Sequence, residues 1–143
     1  MLEIRLGAVV FEMNLAHGWN LVSLPIDPLD PSPSQLGEHI FGWADGLHTQ
    51  VDALIAGRGY FVMNPGPAKT ISIIGNVTTG PPVLTPGWNI VGLIAAPPYT
   101  PQPWQQALGQ TDRIGHPIWT LAGETYSAAV VFSAGAGYWV YSD

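Results

Sequence analysis

A pair of short motifs occurs twice along the chain in the same order, and this limits the possible folds more than any other feature. Leu15-Ala16-His17-Gly18-Trp19-Asn20-Leu21-Val22-Ser23-Leu24 is echoed by Leu84-Thr85-Pro86-Gly87-Trp88-Asn89-Ile90-Val91-Gly92-Leu93. Downstream, Ala56-Gly57-Arg58-Gly59-Tyr60-Phe61-Val62 is echoed by Ala134-Gly135-Ala136-Gly137-Tyr138-Trp139-Val140. Two motifs repeated in one order predict a duplicated unit. The separation between the motifs is longer in the second copy, which places an insertion at the polar segment 109–117.

The copies divide the 143 residues at approximately 1–66 and 67–143. A unit of either size lies near the lower limit for a self-sufficient core, so one domain with a shared core is expected. Each half opens with a strand rich in Ile, Val or Phe, at 3–14 and 69–79, and continues into its Gly-Trp-Asn strand. Proline-rich stretches at 25–33 and 97–103 then leave the sheet, because proline cannot donate to a ladder. Ser32-Pro33-Ser34-Gln35-Leu36 and Thr100-Pro101-Gln102-Pro103-Trp104 read as helix starts, with Leu36 and Ile40, and Trp104 and Leu108, on one packing face. Regions 43–62 and 119–141 read as short strands with turns at Asp45-Gly46 and Gly123-Glu124. The expected fold is mainly β: a small sandwich or barrel of two tandem repeats with pseudo-twofold symmetry and one short helix per repeat.

Charge narrows the partners. Four Lys and Arg against ten Asp and Glu give a net charge of −6, with no basic patch for phosphates, so nucleic acid is not an expected partner. No apolar run approaches the ~20 residues that span a bilayer, so membrane insertion is not expected either. Cysteine is absent, which excludes disulfides and thiolate metal sites but indicates no compartment. Met1-Leu2-Glu3-Ile4-Arg5 lacks the pattern of a secretory signal.

The sequence carries no catalytic signature. Ser133, in Val131-Phe132-Ser133-Ala134-Gly135, lacks the first glycine of a nucleophile elbow. His17, His39, His48 and His116 fall in different segments without zinc-binding spacing. Asp27 and Asp30 lack the alternating acidic pattern of a calcium loop and read as turn residues. Gly57-Arg58-Gly59 and Gly135-Ala136-Gly137 are each followed by a β-type strand rather than a helix, so they read as turns or bulges rather than phosphate cradles. No metal, cofactor or catalytic residue is expected.

The aromatic residues remain as candidates. Six Trp and five Tyr in a chain with 10% charged residues offer flat apolar faces with a polar edge, suited to stacking on sugar rings. Trp19 and Trp88 occupy equivalent motif positions and read as packing residues, with Asn20 and Asn89 tying down backbone beside them. Gly18, Gly57, Gly59, Tyr60, Gly87, Gly135, Gly137 and Tyr138 complete the structural set. Trp139 and Tyr141 lie on the opposite strand face from Tyr138 and Val140. The second half is richer in aromatics: Trp119 replaces Phe41, Tyr126 replaces His48, and Tyr99 and Trp104 lie near the connector. The candidate ligand-binding residues are therefore Trp104, Trp119, Tyr126, Trp139 and Tyr141.

Gly18-Trp19-Asn20-Leu21-Val22-Ser23-Leu24-Pro25 with Gly57-Arg58-Gly59-Tyr60-Phe61-Val62 resembles the Gly-Trp-Asn repeats of secreted and cell-surface bacterial and archaeal proteins, and the two copies cover nearly the whole chain. The second copy departs from the pattern at Gly92-Leu93-Ile94, where the first has Ser23-Leu24-Pro25. The resemblance implies a noncatalytic extracellular or cell-surface accessory module, often joined to other domains of a longer chain. Two functions follow as expectations. One is a carbohydrate-binding module that holds polysaccharide on aromatics of the second repeat. The other is a structural or adhesive spacer contacting a surface protein through sheet edges or an apolar patch. Coplanar Trp and Tyr clustered on one face would fit the first, and a flat hydrophobic patch the second. A third reading, a small hydrolase, would need convergent His and carboxylate groups in a deep pocket.

Overall fold

A computed structural model describes residues 8–44, 46–115 and 117–143. In chain order the strands of the first half are β1 (Ala8–Leu15), β2 (Gly18–Ser23), β3 (Asp27–Pro28), β4 (His39–Ala44), β5 (Leu47–Gln50) and β6 (Gly59–Asn64). Those of the second half are β7 (Lys69–Asn76), β8 (Gly87–Val91), β9 (Gln102–Pro103), β10 (Trp119–Ala122), β11 (Thr125–Ala128), β12 (Val131–Phe132) and β13 (Tyr138–Ser142). The protein is mainly β, as the alternating, turn-punctuated sequence predicts.

The opening strands β1 and β7 pair antiparallel with each other from Ala8 opposite Asn76 to Leu15 opposite Lys69, and β3 adds to the other edge of β7. The predicted strand residues 3–7 lie outside the described residues. Two four-stranded antiparallel sheets follow. Their orders are β2-β6-β4-β5 and β8-β13-β10-β11, so each Gly-Trp-Asn strand lies beside the Tyr60 or Tyr138 strand and each sheet ends in a hairpin. The second hairpin turns at Gly123-Glu124 between the paired Ala122 and Thr125. The first closes on Ala44 and Leu47; its predicted turn residue Asp45 lies outside the described residues.

Hydrogen bonds explain why the motif residues are what they are. Asn20 accepts the Ala16 N–H (2.9 Å) and donates to the Ala16 and Gly18 carbonyls (both 3.0 Å). Asn89 accepts the Thr85 N–H (2.9 Å) and donates to the Thr85 and Gly87 carbonyls (2.9 and 3.0 Å). Each amide thus clamps the strand entry, where Gly18 and Gly87 hold φ of +95° and +99°. The buried Tyr60 hydroxyl accepts the Ile55 N–H at 2.8 Å, and the Tyr138 hydroxyl accepts the Ser133 N–H at 2.8 Å. Ser133 therefore serves a turn.

The halves also exchange bonds. Ser23 N–H donates to Gly135 O (3.0 Å) and Gly92 N–H to Gly57 O (2.9 Å), flanking bridges of Val22 to Ala136 and Val91 to Arg58. Neither close crossing leaves space for a side chain on the second motif glycine. A Cβ on Gly59 would overlap Ile90, and one on Gly137 would lie 2.9 Å from Leu21 Cγ. The departure at Gly92 has the same origin: a Cβ there would overlap the Ser23 side chain, whose hydroxyl donates to Ala136 O at 2.7 Å. The site accommodates one serine.

Buried side chains form two clusters. One contains Phe11, Leu24, Leu36, Tyr60 and Val62, the other Leu93, Trp104, Leu108, Phe132 and Val140, and Ala134 packs against both. Segment 109–115 contributes Ile114 to the second cluster and runs beside the end of β13, with Gly115 N–H bonded to Tyr141 O at 2.8 Å.

One short helix per repeat is not observed. Helix α1 (Trp104–Leu108) forms in the second half, whereas the first makes only a 3-10 turn at Pro33–Gln35. Both start at proline, but Gly37 at φ +138° stops the first after one turn, whereas Gly109 arrives later and caps α1 through its N–H to Gln105 O. Neither expected cap acts through its side chain: Ser32 makes no cap bond, and Pro103 rather than Thr100 precedes α1. Asp30 organises the first turn instead. The Ser32 side chain, and with it the Ser32 N–H that the Asp30 carboxylate accepts (3.0 Å), hold that carboxyl below the usual carboxylate range, and Gln35 Nε2 donates to Asp30 O. Ile40, expected on a helix face with Leu36, lies in β4.

Candidate functional site

Strand register decides which aromatic rings meet. In the first sheet Trp19 lies opposite Met63, Leu21 and Phe41 opposite Phe61, and Trp43 opposite His48. In the second, Trp88 lies opposite Tyr141, Ile90 and Trp119 opposite Trp139, and Leu121 opposite Tyr126. The alternate residues Val22, Tyr60 and Val62, and Val91, Tyr138 and Val140, are buried. The rings therefore occupy the outer face of both sheets.

They form an unbroken run. Phe41 contacts Trp19 (centroids 6.0 Å), Trp19 contacts Phe61 (6.3 Å), and Phe61 contacts Trp139 across the two halves (6.0 Å). Trp139 contacts Trp88 (6.2 Å), which contacts Tyr141 (5.4 Å). Trp43 reaches over from β4 to pack edge-on against Trp139 at 4.9 Å and against His48 at 5.0 Å. Its indole N–H donates to Trp88 O (3.1 Å), while that of Trp139 donates to the Tyr126 hydroxyl (3.2 Å). The ring planes meet at 46° to 89°, so the trough is built of tilted and edge-on contacts rather than coplanar stacks.

Two adjoining clefts open along this trough. The smaller, about 470 Å³, is lined by Trp43, Trp88, Trp119, Tyr126 and Trp139. The larger, about 810 Å³, has Trp19, Phe41, Phe61, Met63 and Leu121 as apolar walls and His17, His48, Glu124 and Tyr126 as polar groups. Tyr126 borders both. His17 is oriented by a bond between Nδ1 and Gly66 O at 2.9 Å.

Three of the five candidates from sequence, Trp119, Tyr126 and Trp139, line the smaller cleft, and Tyr141 lies beside Trp88 on the same face. Trp104 does not join them. As the first residue of α1 it turns inward with Ala107 and Leu108, is 8% exposed and belongs to the second core cluster. Trp19 and Trp88 correct the packing expectation in the other direction, being 44% and 43% exposed. Leu21 and Ile90, next on the same strand faces, are covered by the other half at Gly137 and Gly59, and that cover ends before the tryptophans. Trp43, Phe41, Phe61 and His48 were not selected from sequence. The signal was present in the alternation of His39, Phe41 and Trp43 against Ile40 and Gly42, but alternation does not say which face is covered.

His48 and His17 border the larger cleft, His39 lies exposed in β4, and His116 lies outside the described residues. Among the described residues no three His, Asp or Glu side chains converge as metal ligands, and no helix is long and apolar enough to cross a membrane. The assembled groups are suited to noncovalent capture: ring faces, two imidazoles, one carboxylate and one phenol. No family model, curated protein or solved structure matches the chain.

Proposed function

We propose that this chain is a noncatalytic binding module for extracellular or cell-surface carbohydrate, related to the Gly-Trp-Asn repeat modules and carried among other domains of a longer protein. In this reading residues 1–143 form one domain of two copies related by a pseudo-twofold. The matching strand orders, the parallel Asn20 and Asn89 clamps and the reciprocal Ser23–Gly135 and Gly92–Gly57 bonds support the duplication.

The observation that carries the function is the larger cleft. Single ring faces of the exposed Trp19 and Phe41 stand ready to stack on a pyranose, while His17, His48, Glu124 and Tyr126 supply donors and acceptors for its hydroxyls. A glycan panel followed by intrinsic tryptophan fluorescence tests the proposal. Saturable binding is expected, and Trp19→Ala and Phe41→Ala should each weaken it about tenfold or more while remaining folded.

A second reading, protein-contact spacer, is favoured by Leu47, 68% exposed on the edge strand β5, on the face opposite to the trough residue His48. A folded protein that binds no glycan would leave this role standing, and concentration-dependent sedimentation lost in Leu47→Lys would establish it.

A further inference from the structure

We infer that the smaller cleft is an aromatic box for a trimethylammonium cation. This goes beyond glycan binding and does not depend on it. Trp43 and Trp88 stand at 85° and 89° to Trp139, with centroids 4.9 and 6.2 Å away. Trp119 lies directly across the ladder from Trp139, and Tyr126 completes the lining. A pyranose favours one flat ring face beneath it. Rings at right angles instead surround a compact, rounded group, and their negative π faces attract a cation held among them.

Hydrogen bonding points the same way. A sugar needs a partner for each hydroxyl it buries. Here the indole N–H groups of Trp43 and Trp139 are already engaged by Trp88 O and the Tyr126 hydroxyl, those of Trp88 and Trp119 could only donate, and no carboxylate, amide or imidazole lines the cleft to accept from a sugar hydroxyl. A primary ammonium would lose its hydration without acceptors to replace it. A quaternary ammonium has no N–H to satisfy and spreads its charge over methyl groups, so ring faces suffice. No Lys or Arg lines the cleft to repel it, and the net charge of −6 draws cations toward the protein.

The corresponding positions of the first half make the specificity sharper. Trp19, Phe41, Phe61 and His48 occupy the places of Trp88, Trp119, Trp139 and Tyr126, and Leu121 lies across from them as Trp43 does in the box. Phenylalanine and leucine are weaker partners for a cation than tryptophan. The box is therefore assigned to one cleft.

The test uses the whole chain, titrated with choline and with its neutral isostere 3,3-dimethylbutan-1-ol at constant ionic strength, followed by tryptophan fluorescence. Choline should saturate the signal and bind about tenfold or more tightly than the isostere. Trp88→Leu should lose about tenfold in choline affinity, whereas Trp19→Leu, its counterpart in the first half, should lose none. Tyr126→Leu, on an exposed hairpin, provides a second variant if Trp88→Leu does not fold. Equal binding of choline and isostere, absence of saturable choline binding, or unchanged affinity in a folded Trp88→Leu or Tyr126→Leu variant would overturn the inference. Two further arms separate the sources of such a group. Trimethyl-lysine amide should match choline, and phosphocholine should bind no more tightly; tighter phosphocholine binding would mean phosphate is recognised and would end the reading of ring faces alone. Choline binding without any glycan binding would retain this inference and remove the carbohydrate proposal.

Discussion

The two halves differ where they face outward and agree where they hold themselves together. Each has a tyrosine hydroxyl accepting a turn N–H at 2.8 Å and an asparagine clamping the entry of its Gly-Trp-Asn strand. Packing beside those tyrosines differs: Phe132 stacks on Tyr138 with centroids 3.9 Å apart, whereas the first cluster holds Leu54 and Tyr60. On the outer face the difference is larger, with tryptophan at 119 and 139 where the first half has Phe41 and Phe61. Polar contacts to backbone fix residue identity because an unpaired buried N–H or C=O is costly, whereas ring faces at a half-exposed surface can exchange while the strand beneath them stays the same. A paired scaffold thus carries two unlike clefts.

The largest effect expected on this comparison comes from the buried residues at the two packing turns. Trp104→Ala should cost about 3–5 kcal/mol and Leu36→Ala about 2–5 kcal/mol, since both are buried in their clusters. Trp119→Ala, partly exposed in the trough, should cost distinctly less. Urea denaturation gives the ranking, and a small loss for Trp104→Ala would return that residue to the ligand-binding set.

Next in size is the crossing of the halves. Gly92→Ser should destabilise by about 2–3 kcal/mol, because two serine side chains would compete for one space. Adding Ser23→Gly should restore most of that loss, with the hydroxyl now supplied from the second strand. Failure of the double variant to recover, read as the denaturation midpoint, would show that the two positions are not interchangeable. A smaller and matched effect is expected from Asn20→Ala and Asn89→Ala, about 1–2 kcal/mol each, since each amide holds the same backbone groups in its half.

How far the sequence alone leads is clear from the same residues. The recurrence of the motif residues was legible in the sequence, and in both halves they have steric or backbone hydrogen-bonding roles: Gly59 and Gly137 at close crossings, Asn20 and Asn89 at strand entries, Tyr60 and Tyr138 at turns. Most strands were legible from alternation, but β3 and β9 were not: Asp27–Pro28 pairs with β7 and Gln102–Pro103 with β12, inside the proline-rich stretches expected to leave the sheet. Exposure was not: whether Trp19 or Trp104 is covered depends on which part of the other half lies above it, and that is a tertiary fact. Trp43 was missed for a related reason. It belongs to β4 but acts against Trp88 and Trp139 of the second sheet, a meeting that no local pattern announces. The extra helix was overpredicted because proline starts are local signals, whereas the length of the following turn was set by the position of Gly37.

The smallest expected effect is alkaline, and it asks whether the two tyrosines are energetically alike. Burial pushes the Tyr60 and Tyr138 phenols above their usual value, and the N–H groups of Ile55 and Ser133 offset part of that rise. At each of these two positions, as at Tyr99, the folded chain keeps a proton that the unfolded chain releases, so stability is full below the ordinary phenol range at pH ~10 and falls as pH rises through the folded values. Tyr60→Phe and Tyr138→Phe should each lose about 1 kcal/mol near neutral pH, because a turn N–H loses its acceptor, yet each should also flatten the alkaline fall. Urea midpoints followed from about pH 8 to about pH 11 separate the two effects. Equal flattening would mean that burial in the two clusters is equivalent despite Leu54 in one and Phe132 in the other. A slope that disappears with only one of the substitutions would place the alkaline weakness in that half and show that the matched hydrogen bonds stand in unmatched surroundings.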